Sequence, residues 1–203
     1  MLTACTLKIG YGFNGRNVAR LLGEAGIHHE ILEYNPGTVR SVRAAGELAH
    51  YGDVTRAEVL RHIRFTEFDS AVIEISEAEA TRRGVSILWK LNPDVYIVAR
   101  SRFVNEIEQL QKLGANIIVP EEFETSLRIF VELLSHCHIP PHIIAVQMDL
   151  VRRRSYGLLR SDGEEGVLDR ELQTLVMRRL IETVPTAPDC PHIGQTLQTR
   201  LQW

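Results

Sequence analysis

The sequence is poor in the features that mark several large classes of protein. It has three cysteines, Cys5, Cys137 and Cys190, widely separated and odd in number. That excludes a disulfide framework and a CxxC metal knuckle, and it fits a reducing, cytoplasmic setting. No apolar run approaches the ~18 residues needed to cross a bilayer, so direct membrane insertion is not expected. The start, MLTACTLKIGYG, has neither a basic stretch nor a long apolar one, so no secretory signal is visible. Charge of one sign is also scarce. Lys+Arg number 23 and Asp+Glu 26, a net charge of -3, so nucleic acid has no electrostatic hold on the chain. The histidines are scattered without HExxH spacing, and GxSxG and GxxxxGK[ST] are absent. His136-Cys137-His138 is either a chance metal ligand set or packing at a helix end.

What is present is a regular alternation. Strands are predicted at residues 6–10, 30–33, 48–51, 71–75, 95–99 and 116–119. Helices are predicted between and after them, at 14–25, 36–45, 56–63 (capped by Thr55), 77–91, 104–113 and 121–137. Six strands alternating with helices predict an α/β, Rossmann-like, doubly wound six-stranded parallel sheet. The expected first domain is 1–137. Pro140-Pro141 then reads as a hinge, and residues 138–160 as hinge plus a crossover helix. Ile143, Ile144, Gln147, Met148, Leu150 and Val151 give that helix one broad, largely apolar face. Its full burial would contribute on the order of 10 kcal/mol before ordering costs, which favours a homodimer over packing back on its own domain. Residues 161–203 read as a polar loop, a strand at 177–184 and a helix start at 192–203, a partial small C-terminal α+β lobe.

The sharpest motif is Gly10-Tyr11-Gly12-Phe13-Asn14-Gly15, a GxGxxG directly after a predicted strand and opening a predicted helix. In that context Gly10 makes a tight turn, Gly12 lets a phosphate reach the backbone, and Gly15 lets helix and strand pack closely. The helix N-terminus supplies free N–H groups and a positive dipole. Glu33 stands 18 residues after Gly15, where a ribose-binding acid is expected. A ligand-free glycine turn with a solvated Glu33 is the alternative. Asp53 either reaches an adenine or caps the next helix, and Ser76 either faces the crevice or caps its helix. Arg100, expected just after the fifth strand, pairs with phosphate or makes a surface salt bridge. Arg16 sits in the first helical turn, where a cation needs an anionic neighbour or solvent. No paired general acid and base is found, and about 65 residues beyond the Rossmann unit leave little room for a catalytic domain. The pattern favours a binding switch over an enzyme; an NAD-dependent oxidoreductase with a small substrate domain is the alternative.

The strings GYGFNGRNVARLLGEAGI, ILEYNP, YGDVTRAEVL, LNPDVYIVARSR and LGANIIVPEEFETSLRIF, in this order, resemble the RCK domain (regulator of potassium conductance) of the TrkA-N type. The similarity is to cytoplasmic regulatory regions of Kef-like potassium efflux systems and covers residues 6–135. The resemblance implies a Rossmann domain that binds an adenine nucleotide (NAD/NADH, AMP, ADP or ATP). It implies pairing through the crossover helix and the last Rossmann helices. It also implies control of a membrane-embedded cation transporter or channel, with the domain cytoplasmic at the inner membrane face. The implied nucleotide contacts are Gly10, Gly12, Gly15, Glu33, Asp53, Val54 and Arg100, and Phe13, Asn14, Tyr34 and Ser76 complete the expected cofactor-binding set. Phe13 departs from the Arg that many relatives carry there, and Asn14 and Arg16 are the groups able to compensate.

Overall fold

The structure is a computed structural model and describes residues 5–157. The predicted loop, strand and helix start of residues 161–203 lie outside the described residues. Six strands form one sheet: β1 (Cys5–Ile9), β2 (His28–Glu33), β3 (Ala49–Tyr51), β4 (Ser70–Ile73), β5 (Tyr96–Ser101) and β6 (Ile117–Pro120). Every pairing is parallel, in the order β3-β2-β1-β4-β5-β6. The helices are α1 (Phe13–Glu24), α2 (Pro36–Ala44), α3 (Ala57–His62), α4 (Ala78–Leu91), α5 (Ile107–Lys112), α6 (Glu121–His136) and α7 (Pro141–Gly157). The predicted Rossmann-like sheet is therefore the observed one.

The central strands are buried on both faces, as an all-parallel sheet requires. Leu7, Ile9, Ile31, Leu32, Ala71, Ile73, Ile97 and Ala99 are all buried. On one face, Ala19 of α1 and Val39 and Val42 of α2 pack with Ile31 and Ala49, and Tyr11 leans on this cluster. Val54 packs against Gly84 of α4. Asn35 starts α2 as its sequence promised: its side-chain oxygen accepts the N–H groups of Gly37 and Thr38, and Pro36 follows it.

Three details differ from the sequence expectation. β5 runs on to Ser101, so Arg100 lies inside the strand, paired with Val119, rather than after it. Buried Ser101, whose hydroxyl donates to the Phe103 carbonyl, anchors that extension. Thr55 does not cap α3; Arg56 is the cap residue, without a side-chain bond, and Thr55 is itself held by Asp53. Short 3-10 turns at Phe65–Glu67 and Val104–Glu106 occupy stretches expected as loop and as α-helix. The first is pinned by Phe65 and Phe68, both buried and stacked with centroids 6.2 Å apart.

The chain divides into two units, Met1–Leu133 and Leu134–Trp203, so the division falls inside α6. In the second unit, α7 buries Ile143, Ile144 and Met148 within the single chain. Half of the apolar face expected to await a partner is thus already covered. Among the described residues, no helix is long and apolar enough to cross a membrane.

Candidate functional site

The strand order reverses at β1 and β4, and the crevice outside their carboxyl ends is where sheets of this topology bind ligands. The glycine loop fills that position, and its three glycines have different reasons to be glycine. Gly10 has φ +87°, and a Cβ there would lie 2.8 Å from the Glu74 carbonyl oxygen. A Cβ on Gly15 would lie 2.3 Å from the Gly10 carbonyl oxygen, so α1 packs directly on the loop. Both are needed by the chain itself. Gly12 is not. It has extended backbone (φ −69°, ψ −163°) open to any residue, and a Cβ on it would meet nothing within 4 Å. Gly12 is also the cap residue of α1, and no side chain caps that turn. An uncapped helix start with no acidic residue in its first turn and an open approach is suited to an anion. Arg16 is exposed in this first turn. Phe13 is 75% exposed and Asn14 half-buried.

Glu33 ends β2 and grips the loop from the side. Its Oε2 accepts the Tyr11 N–H and its Oε1 the Asn35 N–H, each at 2.7 Å. The solvated strand end considered from sequence is thus replaced by a brace. Each carboxylate oxygen keeps a further lone pair for a ribose hydroxyl. Tyr34 is exposed and stacks on Tyr51 of β3, centroids 6.5 Å apart. The Gly52 N–H donates to the Glu33 carbonyl, which sets Asp53 beside the end of β2. Asp53 uses Oδ1 to accept both the N–H and the hydroxyl of Thr55, while the Val54 side chain is buried.

A second group forms at the ends of β4 and β5. Ser76 does not cap α4, whose cap residue is Glu77; its hydroxyl instead accepts from Arg100 at 3.4 Å. Arg100 also pairs with Glu121 at 3.3 Å. Ser76 and Arg100 line a small cleft with Ile75, Thr81 and Glu106.

The sequence reading missed a residue beneath the loop. Lys8, in the middle of β1, is fully buried. Its ammonium donates to the carbonyls of Gly10 (2.7 Å) and Ile9 (3.2 Å). It also lies 2.8 Å from Glu74 Oε2, as charges in contact without the alignment of a hydrogen bond. Burial pushes the Lys8 pKa down, and the neighbouring Glu74 carboxylate opposes that shift. The chain thus ties the turn carbonyl at Gly10 to the end of β4 through one buried ion pair. A lysine inside TLKIG and a glutamate inside AVIEI were the available signals: each is a charge in a strand that must be buried on both faces. By contrast, the ligand atoms of His136, Cys137 and His138 are not brought together among the described residues.

The TrkA-N domain family matches residues 8–121, more than half of the sequence, including the glycine loop, Glu33 and Arg100. The chain belongs to the TrkA-N domain family. Solved structures share the fold. The TrkA-N domain of the inner membrane protein ybaL from Escherichia coli is 25% identical, with a TM-score of 0.60, over 66% of this chain and 98% of that one. The Kef CTD of Shewanella denitrificans, in an AMP-bound form, is 24% identical at a TM-score of 0.66, covering 76% of this chain and 94% of that one. The GsuK channel bound to NAD shares the fold at 21% identity and a TM-score of 0.53, over 58% of this chain and 21% of the channel.

Proposed function

We propose that this TrkA-N domain is a nucleotide-sensing regulatory module of a potassium or other monovalent-cation transporter or channel, and a binding protein rather than an enzyme. The observation that carries the binding claim is Gly12. It is the one glycine of the motif that neither the backbone conformation nor the packing of this chain demands, and it opens an uncapped helix. A phosphate of an adenine nucleotide (NAD/NADH, AMP, ADP or ATP) accounts for it. The ribose then meets Glu33, and Glu33 repels a 2′-phosphate. Tyr34, Asp53 and the backbone of Val54 border the adenine. Ser76 and Arg100 take a distal phosphate, for which Arg100 must leave Glu121. Phe13 offers no charge to phosphate, and Arg16 supplies it from one turn further on.

The regulatory part of the reading rests on the family and on the AMP- and NAD-bound structures of similar fold. In it, residues 1–137 bind the nucleotide and 138–160 connect one chain to its partner. The domain works in the cytoplasm at the inner face of the membrane, and two chains pair. Exposed Ile129 and Leu133, one turn apart on α6, and exposed Val146 on α7 are apolar surface available for that pairing. Nucleotide then biases the geometry of the pair, which the transporter reads.

Calorimetry with NAD, NADH, AMP, ADP and ATP tests the binding claim, with nicotinamide absorbance followed over a panel of small alcohols and acids. Saturable binding without hydride transfer is the expected result. Turnover would establish the oxidoreductase reading instead.

A further inference from the structure

We propose that Cys5, His28 and Glu30 form a mononuclear binding site for a transition-metal ion of the zinc class, at the end of the sheet opposite the glycine loop. The parallel register sets Cys5 directly beside His28. Residues two apart on a strand share a face, so Glu30 stands on the same face as His28. The thiol sulfur, one imidazole nitrogen and one carboxylate oxygen all lie within 4.8 Å of one another. Tetrahedral zinc with ordinary bond lengths places its ligands about 3.3–3.8 Å apart. Closing the remaining ångström is within the reach of His28, whose side chain is exposed.

The donor set selects the ion. One sulfur, one nitrogen and one oxygen suit zinc or cobalt, and not calcium or magnesium, which take oxygen alone. Three protein ligands leave a fourth position for water. The surroundings have the form of a supporting shell. His50 of β3 contacts Glu30 Oε2 at 2.5 Å, the imidazole–carboxylate pairing that orients a metal-binding carboxylate. Asp69 accepts the Cys5 N–H at 2.8 Å and adds a second negative charge beside the thiol.

The site is separate from the glycine loop. β1 has five residues, Cys5–Ile9, and at ~3.3 Å each they span ~17 Å. A metal here therefore does not touch a nucleotide phosphate at Gly12. It ties the first residue of β1 to β2.

The test is titration of the untagged chain with Co2+ under reducing conditions, followed by Zn2+. The expected result is one Co2+ per chain, with a thiolate-to-cobalt charge-transfer band and visible tetrahedral bands that Zn2+ abolishes. Cys5→Ser should remove the charge-transfer band, and Cys137→Ser should leave it intact. His28→Ala should weaken binding by about tenfold or more; its exposed side chain keeps the fold out of question, so it carries the test if Cys5→Ser does not fold. Absence of the band in the natural sequence, its survival in folded Cys5→Ser, or unchanged Co2+ affinity in His28→Ala would overturn the proposal.

Discussion

Gly12→Asp separates a ligand-made glycine from a fold-made one, because it should move binding and stability in opposite directions. The backbone at Gly12 is extended and accepts any residue, and its Cβ direction is empty to 4 Å. The position is the uncapped start of α1, where aspartate is a preferred cap. Folding stability should therefore hold or rise by about a few tenths of a kcal/mol. A bound phosphate would meet the new carboxylate at roughly 4 Å, and two unit charges at that distance repel by about 4 kcal/mol at a surface-like dielectric constant of about 20. Screening lowers this, and a loss of about 100-fold in affinity is the working expectation. Gly12→Ala should lose about tenfold through volume alone. Calorimetry with the best-binding adenine nucleotide reads the affinity, and urea unfolding reads the stability. Gly15→Ala is the contrast. Its Cβ, 2.3 Å from the Gly10 carbonyl oxygen, should cost about 1–3 kcal/mol of stability by overpacking. Unchanged nucleotide affinity in a folded Gly12→Asp protein would refute the assignment of Gly12 to phosphate.

Other outcomes follow from the same geometry. Lys8→Met leaves the Glu74 carboxylate, whose Oε2 is buried, without its counter-charge, and should destabilise by about 3 kcal/mol, with Lys8→Met/Glu74→Gln recovering most of the loss; additive losses in urea unfolding would show that the pair is not coupled. Lys8 has a folded pKa below its ordinary 10.5, so between the two values the unfolded chain binds more protons, and stability should rise with pH across that alkaline window; Lys8→Met should flatten that rise. Glu33→Gln should weaken nucleotide binding and also loosen the loop, because the carboxylate holds the Tyr11 and Asn35 N–H groups; faster amide exchange at Tyr11 is the readout that a ribose contact alone would not give. Leu133→Asp places a charge on the exposed strip of α6 and should turn a pair of chains into monomers by light scattering; a natural chain already monomeric at high concentration would remove pairing from the proposed function.

The architecture was legible because each strand and helix advertises itself locally. TLKIG, AVIEI and VYIVA are short β-rich runs, Asn35-Pro36 is a helix start, and the glycine motif sits between a strand and a helix. The site was legible only as far as that motif reaches. Glu33 could be placed by its spacing, but its brace on Tyr11 depends on how β2 lies beside β1. Ser76 and Arg100 meet across 24 residues of sequence, and Lys8 meets Glu74 across two paired strands. Such contacts are set by strand order and register, which no local pattern encodes. Local propensity ends the fifth strand one step before Arg100, whereas strand ends are decided by pairing partners, here Val119 and Pro120. The apolar face of α7 was read correctly as apolar. Periodicity cannot say whether the same chain covers it, and for Ile143, Ile144 and Met148 it does.

The most direct measurement is a backbone amide NMR titration of the unaltered chain with AMP and with NAD. The expected result is saturating shifts concentrated at residues 12–16 and at Glu33 and Tyr34, following the same isotherm as the calorimetric heat. Shifts that bypass the glycine loop, or no shifts with either nucleotide, would contradict a nucleotide site at the β1–β4 switch point.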